Sequence, residues 1–119
     1  DPMLMSYVLD AGLHGHGLDE LCELNLQHKP VTLADLTGKG RERVPFAQIG
    51  LEEATRYVAA NADIALRLAG LLKPRLVAEK RMRVYETLER PLVSVLADME
   101  AAGIAIAPDF LGKLSNDFA

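Results

Sequence analysis

Tryptophan is absent from this chain, and three tyrosines and three phenylalanines are all the aromatic residues it has. The core of its 119 residues must therefore be built from leucine, alanine, valine and isoleucine rather than from stacked rings. The single cysteine, Cys22, excludes an internal disulfide and suits a reducing compartment. No long uncharged apolar run and no signal-peptide pattern is present, which argues against membrane spanning and secretion. Positive charge is also in short supply. A formal net charge of −4 argues against an autonomous nucleic-acid binder, which usually shows a basic face. What basic charge there is lies in clusters. Lys39, Arg41 and Arg43 share one glycine-containing loop, and Lys73, Arg75, Lys80, Arg81 and Arg83 follow later. Such clusters are usually solvated faces, with phosphate contact as the alternative.

What remains is ordinary for one small globular domain: 50% hydrophobic and 25% charged residues, with no internal repeat and no low-complexity run. The patterning is mainly helical. Asp1-Pro2 is an N-cap and first-turn pair, and Gly12 can end that helix. Leu18, Leu21, Cys22 and Leu26 form a helical stripe over Leu18–Leu26. Thr32 and Asp35 have capping-box spacing for a single turn, and the stretch from Gly38 to Gln48 reads as loop. The longest helix is predicted over Leu51–Lys73, with Pro74 ending or kinking it. Another is predicted over Met82–Ala102, bent at Pro91 and closed by Gly103. Ile104-Ala105-Ile106 is the one strand candidate, and Pro108-Asp109 opens a last helix. Arg75–Arg83 is the candidate linker.

Few of these residues form a recognisable reactive constellation. His14-Gly15-His16, with Asp19 and Cys22 nearby, matches no common zinc spacing, and its glycines point to a loop. Cys22 falls on an apolar stripe and reads as a small buried hydrophobe. His28 is expected to pack or cap near the end of its helix. No Ser/His/Asp or Cys/His arrangement stands out.

One pattern does carry a chemical sense. Tyr57-Val58-Ala59-Ala60-Asn61 places two polar side chains four apart, about 40° around a helix axis and one turn along. A phenol and residue 61 can then face one pocket. With a carboxylate at the second position, such a pair can orient a water and hold the ion that activates it. Asp63 lies about 240° around from Tyr57 and faces away.

Tyr57-x-x-x-Asn61 resembles the third exonuclease motif of bacterial DNA polymerase I, Tyr-x-x-x-Asp, with asparagine in place of the aspartate. The resemblance covers nearly the whole chain. Asp1-Pro2-Met3-Leu4 with Ser6-Tyr7-Val8-Leu9, then Gly17-Leu18-Asp19-Glu20-Leu21, His28-Lys29 and Gly38-Lys39-Gly40 follow in the family's order. Leu51-Glu52-Glu53-Ala54 leads into the motif. Tyr85-Glu86 with Glu89, Pro91, Leu92, Val93, Val95 and Leu96 is similar to the join to the polymerase domain.

The resemblance implies several things. The fold would be mainly α here and part of an α/β ribonuclease H-like 3′–5′ exonuclease fold in the parent. Residues 1–76 would belong to the C-terminal part of the exonuclease domain, and residues 77–119 would connect to and begin the polymerase domain. Two earlier motifs, Asp-x-Glu and Asn-x-x-x-Asp, would lie before Asp1. Tyr57 and Asn61 would occupy catalytic positions. Asn61 would stand where the family has an aspartate ligand for Mg²⁺ or Mn²⁺, so editing would be weak or absent. Leu18 and Leu33 stand near positions that face an unpaired 3′ end, though core packing is the default for both. A leucine at position 33 cannot stack on a base as the family's aromatic can. Lys39 and Arg41 would meet the DNA backbone. The parent would be a DNA polymerase of replication and repair in the cytoplasm, at the nucleoid, with DNA and the rest of its own chain as partners. The segment alone would lack activity and need no cofactor. It would leave apolar faces uncovered and self-associate. A non-catalytic scaffold that braces the polymerase or guides DNA is the alternative. An inherited and an engineered Asn61 would look the same in sequence.

Overall fold

The computed structural model describes residues 1–118, without the side chain of Glu42. It is mainly helical, and among the described residues no strand occurs. Helix α1 (Pro2–Asp10) starts as its sequence dictates. The Asp1 carboxylate accepts from the backbone N–H groups of Met3 and Leu4 at 2.9 and 3.3 Å, and Pro2 fills the first turn. Helix α2 (Leu18–Leu26) ends at Gln27, whose φ of 52° turns the chain into the extended run before α3. Helix α3 (Leu33–Thr37) is opened by the expected capping box. Donation from the Thr32 N–H and hydroxyl holds the Asp35 carboxyl below its ordinary value. Two short 3₁₀ turns, Gly40–Glu42 and Phe46–Gln48, carry the loop to the long helix α4 (Leu51–Ala78).

Helix α4 is the spine. Ile64, Leu68, Leu72 and Leu76 recur every fourth residue on its buried face. The upper pair, Ile64 and Leu68, packs with Leu21 and Cys22 of α2, while Leu18 and Leu26 lean on the same cluster. The lower pair, Leu72 and Leu76, packs with Met5 and Leu9 of α1 and with Tyr85. Burial pushes the Cys22 thiol above its ordinary value, in keeping with a packing role.

The long helix does not stop at Lys73. Pro74 cannot donate to the Gly70 carbonyl, a local cost of about 3 kcal/mol. Packing on the far side offsets it. Leu72 and Leu76 are 1% and 0% exposed, and Arg75 makes a bidentate pair with Asp10, both contacts at 3.0 Å. The segment expected as a linker is therefore ordered and tied down. Arg81 donates from Nη1 to the carbonyls of Val8 and Leu9 at 2.9 and 2.7 Å, satisfying the open C-terminus of α1. Lys80, with φ 58°, makes the turn.

After the turn, α5 (Met82–Val84) runs into a π-helical turn at Tyr85–Glu89 and then α6 (Arg90–Ala102). The expected bend at Pro91 thus takes the form of a widened turn just before the proline, which lies in the first turn of α6. The strand expectation at Ile104-Ala105-Ile106 fails. The run has no regular secondary structure, among the described residues there is no strand for it to pair with, and Ile104 is 91% exposed. Helix α7 (Pro108–Asp117) follows. Neither α6 nor α7 buries a residue, and apolar side chains such as Leu92, Val95 and Phe110 face outward. The radius of gyration is accordingly 19.8 Å, where a compact chain of this length would have about 14 Å.

Candidate functional site

A cavity of about 400 Å³ lies between the first half of α4 and the extended run that joins α2 to α3. Glu53, Tyr57 and Asn61 line it from α4, each four residues after the last and so on one stripe of the helix. Arg56 and Ile64 flank that stripe. Lys29, Pro30, Val31 and Leu36 close the opposite side, and His28 stands at the edge. Local structure explains the placement. The left-handed Gln27 ends α2, buried Pro30 fixes its own φ in the run that follows, and the Thr32 capping box starts α3 at a fixed point. The Phe46 ring sits 6.1 Å from that of Tyr57 at 56°, so the 3₁₀ turn after Pro45 braces the phenol. Tyr57 and Asn61 are both half-buried. Among the described residues, neither side chain hydrogen-bonds another protein group.

The other residues read from sequence fall in different places. Leu18 packs on the core at α2. Leu33 and Lys39 line a separate, open depression with Thr37, Gly38 and Arg43. Arg41 is exposed on the Gly40–Glu42 turn. Asp63 pairs with Arg67 on the outside of α4. His28 does not cap α2, because the helix ends at Leu26 and the ring is exposed beyond it. The His14 ring contacts the Gly15 carbonyl and lies 3.9 Å from Asp10, while His16 Nδ1 is 2.9 Å from the Ser6 hydroxyl. Ser6 is 1% exposed, so this Ser–His contact is packing rather than a reachable nucleophile. Sequence reasoning passed over Glu53, Lys29, Arg56 and Phe46. The four-residue stripe could have found Glu53, and Arg56 is its near neighbour on the helix. Lys29 and Phe46 arrive through loops whose paths leave no periodic signal.

No family model matches the chain. Individual proteins do. It is 49% identical over 119 residues to DNA polymerase I of Rhizobium leguminosarum, matching 100% of this chain and 12% of that protein. It is 39% identical over 118 residues to DNA polymerase I of Pseudomonas aeruginosa, with 98% and 13% covered. With DNA polymerase I of Treponema pallidum the identity is 35% over 119 residues, and 12% of that protein is covered. The chain belongs to the DNA polymerase I family. It spans about an eighth of the length of these relatives, 12% of the first.

The donor set of this polymerase-family segment does not fit a divalent ion. Hard cations prefer several carboxylate oxygens. The cavity offers one carboxylate, Glu53, with a phenol and a neutral amide, and it places Lys29 and Arg56 on the same walls. Among the described residues, no three His, Cys, Asp or Glu side chains come together as a metal site. No helix is long and apolar enough to cross a membrane.

Proposed function

We propose that the chain is the part of a DNA polymerase that carries the third exonuclease motif, with Tyr57 and Asn61 at its catalytic positions and 3′–5′ editing weak or absent. The juxtaposition of Tyr57 and Asn61 in one cavity, within a chain similar along its length to DNA polymerase I, is the observation that carries this reading. Asn61 has an amide where the family has a carboxylate. An amide supplies one neutral oxygen and no charge, so it is a poor ligand for Mg²⁺ or Mn²⁺. Tyr57 keeps the hydroxyl that could orient a water. Leu33, Lys39 and Arg41 would face the strand on the neighbouring α3 and 3₁₀ turn. Leu18 would act through packing.

A second reading is that the segment braces the polymerase or guides DNA without cutting it. The positive walls and lone carboxylate of the cavity favour this for the site itself. One experiment separates the two. The full-length protein and its Asn61→Asp variant are compared in single-turnover cleavage of single-stranded DNA with Mg²⁺. A rise in 3′–5′ shortening of more than about tenfold, or about 1.4 kcal/mol in the barrier, supports the exonuclease reading. If the family's two earlier motifs are intact in that protein and the rate does not change, residue 61 is not at the cutting site.

A further inference from the structure

We propose that His14 and His16 hold one divalent ion of the Zn²⁺ class on the loop between α1 and α2. The two rings stand close together, with centroids 5.1 Å apart and planes at 59°. Each ring is fixed through its Nδ1 atom. The Gly15 carbonyl can only accept, so His14 Nδ1 carries the proton and donates to it. His16 Nδ1 lies 2.9 Å from the hydroxyl of Ser6, which is 1% exposed and so shielded from water. Tyr7 packs edge-on against the His16 ring at 5.6 Å. With the Ser6 hydroxyl as acceptor, both Nε2 atoms keep a free lone pair. An Nδ1–H anchored on an oxygen, with Nε2 left for the ion, is how a metal-binding imidazole is oriented.

The surroundings add negative charge. His14 Nε2 is 3.9 Å from an Asp10 carboxylate oxygen. In the neutral ring both atoms bear lone pairs, and the gap is too long for a hydrogen bond. An ion about 2.0–2.1 Å from the nitrogen would face that carboxylate. Asp10 stays paired with Arg75, so it acts through its field rather than as a ligand. Glu20 folds over the same turn. Its Oε1 accepts from the Gly15 N–H at 3.1 Å, and a Cβ at residue 15 would collide with its Oε2. The glycine between the histidines is thus what admits this second carboxylate. Among the described residues, no third His, Cys, Asp or Glu completes the set, so solvent fills the remaining positions. Imidazole nitrogens without carboxylate ligands select Zn²⁺, Ni²⁺ or Cu²⁺ over Mg²⁺. The pair shares no residue with the Tyr57–Asn61 cavity.

The test is calorimetric titration of the 119-residue chain with Zn²⁺ in excess Mg²⁺. One ion per chain should bind, and Mg²⁺ should not displace it. His14→Gln and His16→Gln should each weaken binding by at least about tenfold. His28→Gln, at the remaining histidine, should leave it within about twofold. Far-ultraviolet dichroism reports whether each variant keeps its helices. If His16→Gln unfolds through its lost contact with Ser6, His14→Gln carries the test alone. Zn²⁺ should also raise the Tm of the parent chain, and His14→Gln should remove that rise. Once urea has unfolded the chain, affinity should fall by at least about tenfold, because the anchored rings are a property of the fold. Equal affinity in the folded and unfolded chains would overturn the proposal, since His-Gly-His alone would then suffice. Absence of Zn²⁺ binding, binding unchanged in His14→Gln, or loss of binding in His28→Gln would each overturn it as well.

Discussion

Removing the Asp10 carboxylate should loosen the lower half of the molecule in a pH-dependent way. Asp10 ends α1, and its two oxygens each accept from the Arg75 guanidinium at 3.0 Å. This pair clamps Met5 and Leu9 over Leu72 and Leu76. Hydrogen bonds to a charged group contribute about 1.5–3 kcal/mol each when well buried. Here the Arg75 side chain is 42% exposed and is shared with Glu79, so solvent screening applies. The expected cost of Asp10→Asn is then about 1–2 kcal/mol, or a fall in Tm of about 3–10 °C for a chain of this size. The sign of the pH dependence follows from Asp10 itself. The Arg75 hydrogen bonds, with the nearby positive charges of Arg75, His14 and Arg81, outweigh desolvation and hold its carboxyl below the ordinary value of 3.8. A lowered folded value means stability that is fully present above the ordinary value and is lost as pH falls through the folded one. The asparagine variant lacks that contribution. The gap between the two proteins should be constant at neutral pH and close on acidification below 3.8. Urea unfolding followed by far-ultraviolet dichroism across that range measures it. Parallel stability–pH curves for the two proteins would refute the reasoning.

Three further outcomes can be checked in the same way. Leu68→Ala should cost about 2–5 kcal/mol, because Leu68 is 0% exposed, while Leu66→Ala at 74% exposure should stay within about 0.5 kcal/mol; urea midpoints compare them. Pro74→Ala should stabilise the chain by about 1–2 kcal/mol, since it restores the donor to the Gly70 carbonyl and loses only part of that gain to a freer unfolded state; a lower urea midpoint would contradict this. The outward apolar side chains of α6 and α7, with Leu92 43%, Met99 62% and Phe110 65% exposed, should drive self-association, seen as a sedimentation coefficient that rises with concentration.

The helices were legible where local chemistry and packing agree. Asp1-Pro2, the Thr32–Asp35 box and the apolar stripes of α2 and α4 each determine a boundary or a face through nearby residues. Legibility failed where distant contacts decide. Pro74 is a stop signal by itself, and only the arrival of Asp10 and Leu9 from α1 carries the helix onward to Ala78. Likewise, Ile104-Ala105-Ile106 has strand-like residues but no partner edge. The site divides along the same line. Tyr57 and Asn61 share a face by helical spacing alone, so their common pocket could be anticipated. Lys29, Val31 and Phe46 reach it through the Gln27 turn and the 3₁₀ turn, whose geometry no periodicity reports.

The partition of positive charge gives the site its character. In sequence, Lys73 to Arg83 is the larger of two basic clusters, the other being Lys39, Arg41 and Arg43. In the fold, two of its five basic residues are committed internally: Arg75 to Asp10 and Glu79, and Arg81 to the α1 carbonyls. Arg81, which caps α1, and Arg75, which holds the half-buried Asp10 carboxylate, cannot release to bind phosphate without loosening α1 from α4. Arg67 and Arg90 are likewise paired along their own helices, with Asp63 and Glu86. Among the described residues, Lys29 and Lys39 carry no such pair, and neither do Lys73, Lys80 and Arg83 of the later cluster. Lys29 stands at the cavity wall, and Lys39 stands beside Leu33 in the neighbouring depression. An acidic chain can still present local positive charge at the cavity that Tyr57 and Asn61 line, where Lys29 and Arg56 stand against the single carboxylate of Glu53. Charge counted after internal pairing takes Arg75 and Arg81 out of the later cluster and leaves Lys29 at the wall of the cavity that Tyr57 and Asn61 line.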